Sequence, residues 1–93
     1  RARLLQGDSF DDVIAALDRV AGVVRRTPLL APRGAVRPLV DGDRLRLKLE
    51  QLQVTGTFKA RGAANATLRL DPVALARGVV TASGGNHGLA LAW

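Results

Sequence analysis

Segments with helical periodicity alternate along this chain with short segments of strand periodicity, and this alternation restricts the possible folds more than any other feature. Ser9 is expected to cap the first helix, with Asp11 and Asp12 at the positive end of its dipole. Thr27 and Pro28 are expected to stop it. The apolar residues of this segment recur at spacings of three and four, which predicts a helix face that meets a core: Val13, Ile14, Leu17, Val20 and Val24.

Two apolar runs in the next segment predict a β-hairpin. Residues 36–40 and 44–49 flank the turn-forming cluster at 41–43. In the second run, leucine alternates with basic residues, which is the pattern of a strand buried on one face. Pro38 confines the first run to the edge of a sheet.

The rest of the chain continues the alternation. The helix predicted at 59–70 carries small residues that permit close approach of a neighbouring element, namely Ala60, Ala63, Ala64 and Ala66. The other segments are a loop at 51–57, a short helix that begins at Asp71–Pro72 and ends at Gly78, a β-prone run at 79–82, a tight turn at 83–88 and a helical segment at 89–93.

Helices that alternate with strands predict an α/β fold. Only two or three strands are visible, too few for a complete sheet with both faces covered. The chain also begins at Arg1 and stops at Trp93 inside a predicted helix. We therefore expect residues 1–93 to be the N-terminal portion of a larger domain, with helices packed on an incomplete sheet.

Composition excludes several classes of protein. Hydrophobic residues make up 47% of the chain, enough for a core, so intrinsic disorder is excluded. No apolar run approaches the ~20 residues that cross a bilayer, so no membrane association is expected. The chain has no cysteine, which excludes disulfides and thiolate metal sites and fits a cytoplasmic location. With His87 as its one histidine, no metal centre is expected.

The net charge of +6 raises the question of nucleic-acid binding. The basic residues are spread along the chain, and only Arg25 and Arg26 are adjacent. Three aromatic residues are too few for a base-stacking surface. We expect a generic basic surface and no nucleic-acid partner.

Lys59 and the glycine turn at 83–88 are the two places that could carry chemistry. Schiff-base chemistry needs a neutral amine, which a lysine can supply and an arginine cannot. Taken alone, a lysine at a helix start is more often a solvated side chain. Free backbone N–H groups at a strand-to-helix turn can bind a carboxylate or phosphate, although such glycines can also serve the turn geometry alone.

The two motifs together, in this order, resemble the fold-type II pyridoxal phosphate enzymes. The first motif, at 48–63, is K-L-E-x-x-Q-x-T-G-T-F-K-A-R-G-A, and the second, at 81–88, is T-A-S-G-G-N-H-G. Upstream, residues 27–30 match a T-P-L element. The similarity is closest to the threonine/serine dehydratase (ammonia-lyase) and serine racemase group. It implies a tryptophan synthase beta-like fold and the cofactor pyridoxal 5'-phosphate.

The resemblance also implies roles for individual residues. Lys59 falls on the lysine that forms the Schiff base with the cofactor and later moves the Cα proton. Asn86 falls on the residue that hydrogen-bonds the cofactor's 3′-oxygen, and Phe58 on one that packs near the cofactor. For His87 we expect a structural, hydrogen-bonded role without proton transfer. The loop that falls on the substrate-carboxylate site consists of Ser83, Gly84, Gly85, Asn86 and His87.

Two departures from the family pattern bear on the reaction. Racemases of this group are similar to Ser-Ser-Gly-Asn-His, and their second serine acts on the opposite face of the Cα carbanion. Gly84 stands at that position and has no side chain, so elimination is favoured over racemisation. The family's phosphate-binding glycine loop comes later than Trp93, so we expect little activity from these 93 residues alone.

The resulting prediction is β-elimination of L-threonine or L-serine to a 2-oxo acid and ammonia, by a cytoplasmic homo-oligomer whose partner is its amino acid substrate. Pyridoxal phosphate-dependent β-replacement and racemisation stay open as alternatives. A non-catalytic truncated module is an alternative of a different class.

Overall fold

The computed structural model describes residues 7–32 and 44–93, and all structural statements below refer to those ranges. Residues 36–40 and the turn at 41–43, which form half of the predicted hairpin, lie outside the described residues. No described helix is long and apolar enough to cross a membrane. The described elements are helices α1 (Phe10–Val20), α2 (Lys59–Thr67), α3 (Pro72–Ala76) and α4 (Asn86–Ala92), and strands β1 (Leu29–Leu30) and β2 (Leu47–Lys48).

Helix α1 begins as predicted and ends earlier than predicted. The Ser9 hydroxyl accepts a hydrogen bond from the Asp12 N–H at 3.2 Å, and the Asp12 carboxylate accepts one from the Ser9 N–H at 2.8 Å. This reciprocal capping confirms the predicted start. The predicted end at Thr27 and Pro28 is wrong, because the helix stops at Val20 and a turn at 21–24 follows. Gly22 in that turn is a poor helix former.

The apolar face of α1 is largely exposed. Val20 is buried, whereas Val13, Ile14 and Leu17 are between 41% and 56% exposed. The predicted contact of this face with a core is therefore confirmed at Val20 and wrong for the first two turns. Two strands of two residues each are too small to cover a helix of this length.

The two strands form an antiparallel pair in which Leu29 lies opposite Lys48 and Leu30 lies opposite Leu47. The strand predicted at 44–49 is confirmed over β2 alone. The β-prone run at 79–82 forms no strand within the described part of the chain, and Val80 is 97% exposed. A strand needs a neighbour for its N–H and C=O groups, and this run has none there.

The second half of the chain is helical. Helix α2 begins at Lys59 as predicted and ends at Thr67, three residues early. Helix α2 packs closely on α4, and its small residues Ala60 and Ala63 are buried, as the small face predicted. Helix α3 is capped by the Asp71 carboxylate, which accepts a hydrogen bond from the Ala74 N–H at 2.8 Å. The described part is thus a set of helices with one small antiparallel sheet.

Candidate functional site

The loop before Lys59 has an uncommon backbone conformation. The predicted loop at 51–57 contains two short 3-10 turns, Glu50–Leu52 and Val54–Gly56. Thr55 has a φ of 60° and Gly56 a φ of 78°, so two successive residues are left-handed. The Thr55 hydroxyl oxygen is buried and has no hydrogen-bond partner among the described residues. A strained, unsatisfied residue of this kind is typical of functional loops.

Lys59 is the first residue of α2 and is half-buried. Its Nζ lies 5.3 Å from the centroid of the Phe58 ring, within the range of a cation–π contact. Phe58, predicted to pack near the cofactor, is 62% exposed. The Lys59 amine makes no hydrogen bond or ion pair with any residue in 7–32 or 44–93. It is therefore not used to hold the described structure together.

Lys48, the other lysine, is used structurally. Its Nζ donates a hydrogen bond to the Thr27 carbonyl oxygen at 2.6 Å. The same residue type thus has two different roles in one chain. Lys48 links β2 to the start of β1, and Lys59 keeps its donor groups free of described partners.

The glycine turn is held by Ser83. Its hydroxyl oxygen accepts hydrogen bonds from the Gly85 N–H at 3.2 Å and the Gly88 N–H at 3.1 Å. A Cβ on Gly88 would lie 3.2 Å from the Ser83 carbonyl oxygen, so a side chain here would displace the turn by a few tenths of an ångström. Helix α4 begins at Asn86, three residues before the predicted helical segment at 89–93.

The fold brings the two predicted motifs into neighbouring elements. Lys59 begins α2, Asn86 begins α4, and these two helices pack on each other. Ala90 of α4 is buried. Helix α4 also contacts the Val54–Gly56 turn. The loop predicted to grip the substrate is exposed at each of its positions: Ser83, Gly84, Gly85, Asn86 and His87.

His87 does not have the environment predicted for it. Its side chain is exposed, and its imidazole makes no hydrogen bond to another residue of the described ranges. The expectation of a structural, hydrogen-bonded histidine is wrong for these ranges. The reason is positional, because residue 87 lies in the first turn of α4 on a solvent-facing surface.

Sequence reasoning missed a polar cluster beside this site. The Arg61 guanidinium binds the Glu50 carboxylate through Nε to Oε1 and through Nη2 to Oε2, the latter at 3.1 Å. The hydroxyl of buried Thr27 donates to Glu50 Oε2 at 2.6 Å. The hydrogen bond from Arg61 lowers the pKa of Glu50 from 4.5 to about 2, burial opposes that shift, and Thr27 adds to it. Glu50 in turn raises the pKa of Arg61.

Gln53 completes this cluster. It is buried, and its amide NH2 donates to the Arg25 carbonyl at 2.8 Å while its amide oxygen accepts from the Arg25 N–H at 2.8 Å and from the Val54 N–H at 2.9 Å. All of these donors and acceptors lie in the motifs quoted above or next to them. The pairing of Glu50 with Arg61 and Thr27, and of Gln53 with Arg25, could not be predicted, because these partners are 11 to 28 positions apart.

A groove of about 450 Å³ lies on the other side of this cluster. It is lined by α1, by the segment that follows α1 and by Lys48 and Arg61, and it includes neither Lys59 nor residues 83–87. The groove thus borders Lys48 and Arg61 of the first motif, while the candidate Schiff-base lysine and the glycine turn lie outside its lining.

Comparison with known proteins identifies relatives for most of the chain. The family described as "Pyridoxal-phosphate dependent enzyme" matches residues 20–93. A serine racemase of Dictyostelium discoideum is 44% identical over 91% of this chain and 26% of its own length. An L-threo-3-hydroxyaspartate ammonia-lyase of Pseudomonas sp is 43% identical over 95% and 28%. An L-threonine ammonia-lyase of Thermotoga maritima is 43% identical over 90% and 21%.

The chain spans about a quarter of the length of the curated relatives it matches. No solved structure matches it at a significant level. The relatives include both lyases and a racemase, so the reaction has to be argued from the residues of the site.

Proposed function

This chain belongs to the pyridoxal-phosphate dependent enzymes, and we propose that the protein containing it catalyses β-elimination of L-threonine or L-serine, with ammonia and a 2-oxo acid as products. The observation that carries the proposal is the amine of Lys59, which has no hydrogen-bond or ion-pair partner among the described residues and stands at the start of a helix packed on the helix of the glycine turn. We also propose the tryptophan synthase beta-like fold, a homo-oligomer and a cytoplasmic location.

The described residues fit the cofactor. Its aldehyde needs a primary amine that is not already bound to another group. Within 7–32 and 44–93, Lys59 meets that requirement, whereas Lys48 does not. The exposed Asn86 offers an amide for the cofactor's ring oxygen, and Phe58 offers an apolar surface beside the amine. When bound, the cofactor supplies an electron sink that makes the substrate's Cα–H bond acidic.

Two parts of the chain then act on the substrate. Lys59 would take the proton from Cα, since its amine lies at the site and binds no other described group. The backbone N–H groups of Gly84, Asn86 and His87 would hold the substrate carboxylate, which fixes the orientation of the Cα–H bond. Ser83 supports that loop through its two hydrogen bonds. Loss of the β-hydroxyl as water, followed by hydrolysis, then releases ammonia and the 2-oxo acid.

Gly84 separates elimination from racemisation. Racemisation needs a second proton donor on the opposite face of Cα, and glycine has no side chain to act as one. The position where a Cβ would stand at Gly84 has no heavy atom within 4 Å, so no neighbouring described side chain takes over this place. This favours elimination over the racemase alternative, while β-replacement shares the same first proton transfer.

The test uses the full-length encoded protein incubated with pyridoxal phosphate. We expect a cofactor absorption band near the visible edge, attachment at Lys59 after borohydride reduction, and release of ammonia from L-serine or L-threonine. Lys59→Ala should abolish all three, while Lys48→Ala, the matched control, should keep the attachment. Absence of attachment in the wild type would support the non-catalytic module, and racemisation faster than ammonia release would overturn elimination.

A further inference from the structure

Two kinds of contact hold helix α2. It packs on α4, and its Ala60 and Ala63 are buried. Its Arg61 is bound to Glu50. At 3.6 residues per turn, Arg61 projects about 200° around the helix axis from Lys59, which is nearly the opposite direction.

Arg61 is an unfavourable residue for its place in the helix. It is the third residue of α2, and a cation in the first turn opposes the helix dipole. Helix stability alone therefore does not explain an arginine here, and the Glu50 carboxylate is what stabilises it.

Glu50 is also held by a residue other than Arg61. The Thr27 hydroxyl donates to it at 2.6 Å, and Thr27 is itself held through its carbonyl by Lys48, also at 2.6 Å. Gln53 joins the same segment to the loop that leads to Lys59. A bidentate arginine–carboxylate pair is directional, so an anchored carboxylate restricts the rotation of α2 about its axis.

We propose that the Glu50–Arg61 pair is a positioning device for Lys59, which sets the direction in which the Lys59 side chain leaves α2. The inference rests on the proposed function, because the direction matters only if Lys59 carries the cofactor. Glu50 and Arg61 are positioning residues and touch no reacting atom. A small misdirection of a reacting group costs up to about a hundredfold in rate.

The experiment compares the wild-type holoenzyme with Glu50→Gln and Arg61→Lys. Glutamine keeps the shape and removes the charge, and lysine keeps the charge and removes the fork of donors. We expect attachment of the cofactor at Lys59 to persist, kcat to fall about ten- to hundredfold, and KM to change by less than about threefold. The visible circular dichroism of the bound cofactor should change in amplitude or sign, because it reports the orientation of the Lys59 attachment.

A control separates positioning from stability. Asp71→Ala removes the cap of α3 and lowers stability without touching the cluster. It should leave the circular dichroism unchanged. In the double variant Glu50→Gln/Arg61→Lys, the loss of kcat should match that of one single variant, since both remove the same interaction.

Several results would overturn the inference. A folded Glu50→Gln protein with wild-type kcat and circular dichroism would do so, as would losses that multiply in the double variant. If Glu50→Gln does not fold, Arg61→Lys decides the question by the same criteria. If the wild type itself shows no attachment at Lys59, the proposed function fails and the positioning role fails with it. If attachment is present and the variants behave as the wild type, only the positioning role fails.

Discussion

The Arg61 guanidinium and the Glu50 carboxylate form a two-point contact across eleven positions of the chain. The contact joins the end of the small sheet to the helix that begins at Lys59. Because Thr27 donates to the same carboxylate, Glu50 receives hydrogen bonds from three separate donor atoms. This concentration of donors explains why its pKa lies at about 2.

The free energy of unfolding should depend on pH through Glu50. Between pH 4.5 and about 2 the unfolded chain binds a proton at this position that the folded chain does not. The stabilisation is therefore complete above pH 4.5 and is lost as the pH falls toward 2. We expect Glu50 to contribute ~1 to 2 kcal/mol to the free energy of unfolding at neutral pH. This is less than the full pKa displacement implies, because water reaches both side chains of the pair.

Urea unfolding of the full-length protein at a series of pH values measures this effect. Glu50→Gln should be less stable at pH 7 and should lack this part of the acid dependence. Curves for the wild type and the variant that stay parallel from pH 7 to pH 2 would contradict the assignment.

Two glycine-to-alanine variants should shift stability in opposite directions. Gly56 has a φ of 78° with open space around it, so an added Cβ costs about 1 kcal/mol through the backbone alone. Gly62 lies inside α2, also with open space, and alanine there should stabilise by about 0.5 to 1 kcal/mol. Denaturant midpoints measure both. If the denaturant midpoints of both variants shifted equally in the same direction, the left-handed backbone at Gly56 would be ruled out.

Gly88→Ala should weaken substrate binding. Its Cβ would lie 3.2 Å from the Ser83 carbonyl oxygen and 3.4 Å from the Ser83 Cβ, so the turn that Ser83 supports must move. We expect KM for the amino acid to rise about three- to tenfold, which corresponds to a loss of up to ~1.4 kcal/mol of binding free energy. Gly22→Ala is the matched control, because nothing lies within 4 Å of its added Cβ. An unchanged KM in Gly88→Ala would place substrate binding elsewhere.

Gly84→Ser should introduce racemisation. The position has room for a side chain, and a hydroxyl there would supply the missing proton donor. We expect interconversion of L- and D-serine to rise about a hundredfold above the wild-type background. Gly84→Ala adds the Cβ without the hydroxyl and should leave the background unchanged. If serine and alanine act alike, the hydroxyl is not the determinant.

Features that depend on neighbours within about four residues could be predicted. The capping of α1 by Ser9 and Asp12 and the capping of α3 by Asp71 are such cases, since donor and acceptor are three positions apart. The small face of α2 was also predictable, because helical spacing alone places Ala60 and Ala63 on one side. The family was also predictable, because two local motifs carry the resemblance, and the family match over residues 20–93 confirms it.

Features that depend on which distant segments meet could not be predicted. The pattern of leucines at 45, 47 and 49 predicted a strand, yet only the fold paired Lys48 with Leu29. The charges of Glu50 and Arg61 are equally compatible with solvated side chains, and only the fold made them a pair anchored by Thr27. The sequence by itself determined the local elements and the amine at position 59. The tertiary structure decided what holds the helix that carries this amine, because long-range partners are selected by packing of the whole chain and not by the residues beside them.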